Sequence, residues 1–231
     1  MIYLSAHKDF DLNSILKNET IYKLQNELSI IDGNELINEY PINIIHETLL
    51  NNDLFLCHNL WGELTRMYYI YKNFNLYNSD IVGFIQYKRT FIDETLINHK
   101  DILNEYDLIC PKIEIQYGMY NKFHHYSDSL MELCFQLLYT FYPSYRQSID
   151  LLYENPNMIC HNMFIMRKND FIECCNFIFY ILKLLNKVVN IVEYQFTYIK
   201  PYSLIAERLF HLFYLHHFNQ NKIYYSDIIN L

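Results

Sequence analysis

An α/β layer fold, with a mostly parallel central sheet flanked by helices, is predicted for this chain on three grounds. Apolar β-rich runs alternate with amphipathic helical patterns from one end to the other, the order that builds parallel strands through crossover helices. The 231 residues suffice for one sizeable core, and no repeat, linker or shift in composition divides them, so residues 1–231 read as a single domain. Hydrophobic residues make up 52% and charged residues only 19%, which excludes a disordered tail.

Each element has its own signal. Ile2-Tyr3-Leu4-Ser5-Ala6 is a first strand opening into His7-Lys8. Asn13 to Leu28 places Ile15, Leu16, Ile21, Leu24 and Leu28 at roughly helical spacing. Ile30-Ile31-Asp32-Gly33-Asn34 is a strand and a turn, and Glu35 to His58 is ambiguous, broken at Pro41. The clearest helix runs from Asn59 to about Asn73, with Leu64, Met67, Tyr68 and Tyr71 on one stripe and Asn59 as a suitable N-cap. Glu63 falls in its first turn, where the helix dipole favours an anion. Asp80 to Tyr87 is a buried strand followed by Lys88-Arg89, and Asp107 to Pro111 is another. Ser129 to Tyr142 is a helix, Pro143-Ser144-Tyr145 begins a further helical turn, and Met158 to Met166 is strand-like with polar His161 and Asn162 inside it. Asp170 to Lys187 is a long amphipathic helix, and Ser203 to His217 a final one.

Composition excludes several functions. No two of the four glycines, Gly33, Gly62, Gly83 and Gly118, lie close enough for a dinucleotide fingerprint or a Walker phosphate loop. A net charge of −8 with scattered basic residues argues against nucleic acid and against general attraction to anionic lipid. The six cysteines form no CxxC pair, so they read as buried free thiols in a reducing compartment rather than a zinc site or disulfide framework. Phe171 to Val189, the most apolar stretch, is interrupted by Glu173, Asn176, Lys183, Asn186 and Lys187 and is too polar to span a bilayer. Lys8, Asp9 and Asp11 break any secretory core near the start, and a cytoplasmic location is expected. Neither a GxSxG nor an HExxH pattern is present, which weakens a hydrolase reading.

In open α/β sheets ligands sit at the carboxyl ends of strands. The groups that follow the predicted strands are His7-Lys8, Gln86-Tyr87-Lys88-Arg89, Pro111-Lys112 and, around the fifth, His161 and Asn162. Cationic and polar strand ends in an acidic protein suit a phosphate-bearing ligand, although basic residues also flank strands simply to remain hydrated.

Several runs carry a family resemblance. Asn59-Leu-Trp-Gly-Glu-Leu-Thr-Arg-Met-Tyr-Tyr-Ile-Tyr-Lys-Asn73 resembles the pattern N-x-x-x-E-L-T-x-x-Y-W-x-W-K-N, and Ile81 to Phe91 resembles I-G-L-x-H-Y-R-R-Y-F. Tyr142 to Tyr145, Asn162 to Met166, Ala206 to Leu209 and His7-Lys8 resemble Y-P-E-Y, N-M-F-I-M, S-E-R-L and a strand-closing H-K, in the same order over nearly the whole chain. These are the marks of a bacterial and viral family long known as a domain of unknown function and found in capsular and exopolysaccharide loci. Its members are regarded as glycosyltransferases, some similar to galactofuranosyltransferases, with a fold resembling the GT-A class. The sequence departs from the pattern at Gln86, where histidine is usual, at Lys88 for arginine, at Tyr69 and Tyr71 for two tryptophans, and in the missing D-N-I-S-type run before Asn59.

The resemblance implies transfer of a hexosyl group from a UDP-linked sugar to a glycan acceptor in surface polysaccharide synthesis. It is compatible with peripheral membrane association. Most GT-A enzymes hold a metal with a D-x-D motif, whereas the equivalent strand here ends Gln86-Tyr87-Lys88-Arg89. Lys88 or Arg89 would then supply positive charge to the leaving diphosphate without a required metal, unless one of them pairs with Asp80, Asp93 or Glu94. The same resemblance places His7 and Lys8 at the nucleotide end of the pocket or else in a surface loop. Asn59, Glu63, Thr65, Gln86 and Tyr87 fall on the donor site, with Glu63 alternatively a first-turn carboxylate only. Glu207 is the expected general base, or else a partner of Arg208 or a helix-capping group, and Asp128 is the alternative base. His124-His125 resemble a family histidine pair; His125 joins the donor site, and two histidines lack a third ligand for a metal. Asn162 is expected to face acceptor or sugar. Tyr87 and Tyr117 are the tyrosines best placed to stack on a sugar. The competing implication is a catalytically inactive relative that binds glycan or a partner enzyme.

Overall fold

The computed structural model describes residues 1–5, 28–32, 43–46, 61–73, 79–86, 88–112, 114–115, 128–154, 157–159, 161–189 and 200–230. Their strands are β1 (Ile2–Ser5), β2 (Leu28–Asp32), β3 (Asn43–His46), β4 (Ile81–Gln86), β5 (Arg89–Phe91), β6 (Leu108–Pro111), β7 (Glu114–Ile115), β8 (Asn157–Met158), β9 (Phe164–Arg167), β10 (Ile223–Ser226) and β11 (Ile228–Asn230). Their helices are α1 (Leu64–Lys72), α2 (Asp93–Ile97), α3 (His99–Glu105), α4 (Asp128–Phe141), α5 (Arg146–Glu154), α6 (Lys168–Val188) and α7 (Pro201–His217). The nine-stranded sheet is ordered β3-β2-β1-β4-β9-β6-β10, with β5 paired to β4 and to β11, and β7 and β8 pair separately.

The expected mostly parallel sheet is in fact mixed. β1 is parallel to β2 and β4, β2 to β3, and β6 to β10. β9 runs antiparallel between β4 and β6, and the β4–β5 and β5–β11 pairings are antiparallel too. The reversal of β9 has a direct consequence for chemistry, because its beginning shares an edge with the end of β4.

Side-chain alternation explains the layers. Tyr3, Val82, Phe84, Leu108, Cys110, Phe164 and Met166 belong to one buried cluster with the apolar faces of α1, α4, α6 and α7. Phe84 and Phe164 stack across neighbouring strands with centroids 6.2 Å apart, and Phe164 also meets Phe171 and Phe210. On the opposite face Ile2, Leu4, Ile85, Ile109 and Ile165 are also buried. Strands covered on both faces read as continuous apolar runs, which is why β4 and β6 were evident in the sequence. A Cβ at Gly83 would lie 3.0 Å from Ile2 and 3.2 Å from Ile165, so glycine leaves room for the isoleucines of both flanking strands.

Several sequence expectations change. Met158 to Met166 is not one strand: a turn at His161 and Asn162 separates β8 from β9. The final helix is followed by β10 and β11, and β10 extends the sheet by pairing with β6. Residues 93–105, assigned no element from sequence, form α2 and α3. The helix expected from Asn13 to Leu28 lies outside the described residues except at Leu28, which instead opens β2 because it pairs with Ile2 of β1; the Asn59 N-cap also lies outside them.

Cys110, Cys134, Cys174 and Cys175 are buried free thiols, and burial pushes the Cys134 thiol up to about 12, so these groups stay protonated and unreactive. Cys57 and Cys160 lie outside the described residues.

His211 on α7 is 2% exposed, and desolvation pulls its pKa from 6.5 down to about 4. The unfolded chain therefore takes up a proton at this ring below about pH 6.5 that the folded chain declines. Stability from this group is complete above pH 6.5, declines toward pH 4 and is lost below it, a swing of about 3 kcal/mol. Urea unfolding from pH 7.5 to 4.5 is expected to show that acid-side slope, and His211→Leu to reduce it by up to about 1.4 kcal/mol per pH unit. An unchanged slope would remove His211 from the acid sensitivity.

Candidate active site

The pairing of Phe84 with Phe164 brings Gln86 opposite the turn that precedes β9. In that turn His161 and Asn162 have φ of 80° and 49°, the left-handed region that side chains other than glycine seldom enter. Two such residues in succession persist only when their surroundings hold them. Here they are held from three segments. Gln86 Nε2 donates to the His161 carbonyl at 2.6 Å. The His161 N–H donates to Glu207 Oε1 on α7 at 3.0 Å. Arg89 Nη1 stands 2.9 Å from His161 Nδ1.

Asn162 opens a second, more deeply buried cluster. Its Nδ2 donates to Glu63 Oε1 at 3.0 Å and to the Ser203 carbonyl at 3.3 Å. Ser203 Oγ donates to the same Glu63 oxygen at 2.7 Å. A carboxylate and a carbonyl both demand donors, so the amide orientation is fixed by chemistry. Asn162 Oδ1 therefore points away from them, and it is buried without a hydrogen-bond partner. Trp61 stacks on Tyr202 with centroids 4.4 Å apart, tying the start of α1 to the start of α7. Gly62 has φ of 55°, and a Cβ there would lie 2.6 Å from Lys200 Cδ, so only glycine suits both its backbone and the lysine stem passing over it.

The structure thus brings together Glu63, Gln86, Arg89, Asn162 and Glu207 among the residues expected from sequence. Glu63 occupies the N-cap position of α1 without capping it; its carboxylate serves Asn162 and Ser203. Thr65 is fully buried and donates to the Gly62 carbonyl at 2.9 Å, within its own turn. Gln86 and Arg89 pair across a two-residue hairpin connection rather than continuing one strand, which leaves Lys88 exposed at the tip and turns Arg89 back toward His161. Arg208 donates to the Leu204 carbonyl at 2.8 Å, while the Glu207 carboxylate faces His161. His7, Lys8, Asn59, Tyr87, Tyr117, His124 and His125 lie outside the described residues, as does the side chain of Asp128.

Ser203, Gly62 and Lys200 carried no sequence signal for this site. His161 was visible only as a polar residue in an apolar run. Among the described residues no three His, Cys, Asp or Glu side chains converge on a point that could hold a metal ion. The end of β4 carries no acidic pair, and the Arg89 guanidinium there disfavours a hard divalent cation beside it.

The structure defines a mixed α/β domain with a polar cluster at the sheet edge beside two helix starts, the place where ligands sit in open α/β sheets. The chain belongs to the family described as a domain of unknown function, DUF4422, whose model matches residues 2–220. Its fold is similar to that of the WbbM bifunctional glycosyltransferase apo structure, at 19% identity and a TM-score of 0.75 over 100% of this chain. The chain spans 45% of that protein. No curated protein matches the sequence. Among the described residues no helix is long and apolar enough to cross a membrane.

Proposed function

We propose that the chain is a glycosyltransferase of GT-A type that moves a hexosyl group from a UDP-linked sugar to a glycan acceptor in surface polysaccharide synthesis. The observation that carries this reading is the convergence of Gln86, Arg89 and Glu207 on one strained turn, at the sheet edge of a glycosyltransferase-like fold. In this mechanism Arg89, assisted by Lys88, neutralises the charge that grows on the diphosphate as the sugar–oxygen bond breaks. Arg89 has five N–H donors, so the contact with His161 leaves others for phosphate. Glu207 takes the acceptor hydroxyl proton as that oxygen attacks the sugar carbon, with Asp128 the alternative base. Glu207 Oε1 accepts the His161 backbone N–H, which ties the carboxylate to the turn beside Arg89. Asn162, kept in place by Glu63, stands on the acceptor or sugar side of the site. His7, Lys8, Asn59, Thr65, Tyr87 and His125 complete the donor site, and no metal is required. Catalysis takes place at the cytoplasmic side, with the protein free to associate with the membrane that carries its acceptor.

Incubation with a panel of UDP-sugars, following UDP release with and without added glycan, tests the reading. Release with at least one sugar is expected. UDP binding without release for any sugar favours the second reading, an inactive relative, which Gln86 in place of the usual histidine motivates. Absence of both binding and release overturns the sugar-nucleotide site.

A further inference from the structure

We infer that His161 is a positioning residue that holds the Arg89 guanidinium only while its own ring is neutral, so that diphosphate binding at this edge is gated by protonation of one histidine. The inference rests on the sugar-nucleotide reading above and adds a regulatory element to that site.

The geometry supplies the argument. Arg89 Nη1 and His161 Nδ1 are 2.9 Å apart, a hydrogen-bond distance. A guanidinium in a protein only donates. Nδ1 must therefore accept, which puts the single ring proton on Nε2 and fixes the tautomer. A second proton on the ring would occupy Nδ1, turn the acceptor into a donor and set two cations against one another. The contact cannot survive that change.

The imidazole cannot evade the conflict by moving with its backbone. The His161 carbonyl is held by Gln86 from β4, and its N–H by Glu207 from α7. The next residue is fixed by Glu63 and Ser203 through the Asn162 amide. Among the described residues, the charged groups in contact with the turn include Arg89 from β5 at the ring, Glu207 from α7 at the backbone, and Glu63 at the start of α1 one residue along. When the ring gains its proton, the Arg89 side chain is the group set loose, because the turn's backbone is held by Gln86 and Glu207 while the guanidinium is held at the ring. Histidine enters the left-handed region less readily than glycine, and at position 161 the three contacts hold it there with its ring against Arg89.

Two variants separate ring from backbone. Glycine suits φ of 80° and keeps both backbone contacts, so H161G removes only the anchor. Asparagine also enters the left-handed region, and its carbonyl oxygen sits near the place of Nδ1, so H161N keeps an acceptor that does not titrate. The first measurement is ¹⁵N NMR of the ligand-free protein. His161 is expected as the Nε2–H tautomer at pH 8, with the Arg89 side-chain signal shifting in step with His161 on acidification and staying fixed in H161N. The second is UDP binding by calorimetry from pH 8 to pH 5.5. UDP takes up a proton of its own over that range, and H161N carries that background. Beyond it, the wild type is expected to weaken by about tenfold toward low pH. H161G is expected to bind about tenfold more weakly at pH 8, with H161N recovering most of that loss. An Nδ1–H tautomer, or an Arg89 signal indifferent to His161 titration, overturns the inference. So does a pH response in H161N equal to that of the wild type. Failure to bind UDP at any pH overturns the functional reading alone, since the NMR measurement needs no ligand.

Discussion

Replacing Glu207 with glutamine is expected to lower turnover by about 10²- to 10⁴-fold while leaving UDP-sugar binding in place. The geometry makes this substitution informative. Glutamine keeps a carbonyl oxygen that can accept the His161 N–H, as Glu207 Oε1 does at 3.0 Å, so the strained turn and the fold survive. What is lost is the capacity to take a proton. Single-turnover rates and donor affinity, measured together, separate the two contributions. A normal rate would remove Glu207 from the role of base and pass it to Asp128. Weakened donor affinity at an unchanged rate would make Glu207 a structural support of the turn only.

The second large effect is expected at Arg89. Arg89→Gln removes the fixed cation nearest the end of β4 and is expected to reduce kcat/KM by about 10²- to 10³-fold, the range for losing one preorganised group that stabilises developing charge. The wild-type rate is expected to be the same with EDTA as without it, because the charge is carried by the protein. Strict dependence on manganese, or a near-normal rate for Arg89→Gln, would sink the cationic mechanism. Lys88 stands exposed at the hairpin tip, and its loss is expected to cost less than that of Arg89.

Much of the scaffold was legible from local pattern. The stripe of Leu64, Met67, Tyr68 and Tyr71 gave α1, and the periodicity of Phe171 to Leu185 gave α6, because a helix that buries one face must repeat its apolar residues near 3.6. The unbroken apolar runs gave β4 and β6, because both faces of the sheet are covered. The short α2 and α3 escaped notice, being polar segments of 5 and 7 residues with little periodicity to read. β10 and β11 escaped because a short strand is defined by its partner, and the partner of Ile223 is Leu108.

The site divides along the same line. Sequence alone determined which residue types stand at the strand ends, that they are cationic and polar, and that glycine-loop phosphate binding is excluded. It could not determine that β9 runs backwards, because strand direction leaves no mark on composition. Nor could it determine that the hairpin after Gln86 returns Arg89 to a ring 72 positions away, or that Glu63 meets residues 99 and 140 positions distant. Those contacts exist because two helix starts and an antiparallel strand meet at one edge. The left-handed backbone of His161 is affordable only where that packing supplies its three anchors, so tertiary structure made the constellation and local sequence supplied its parts.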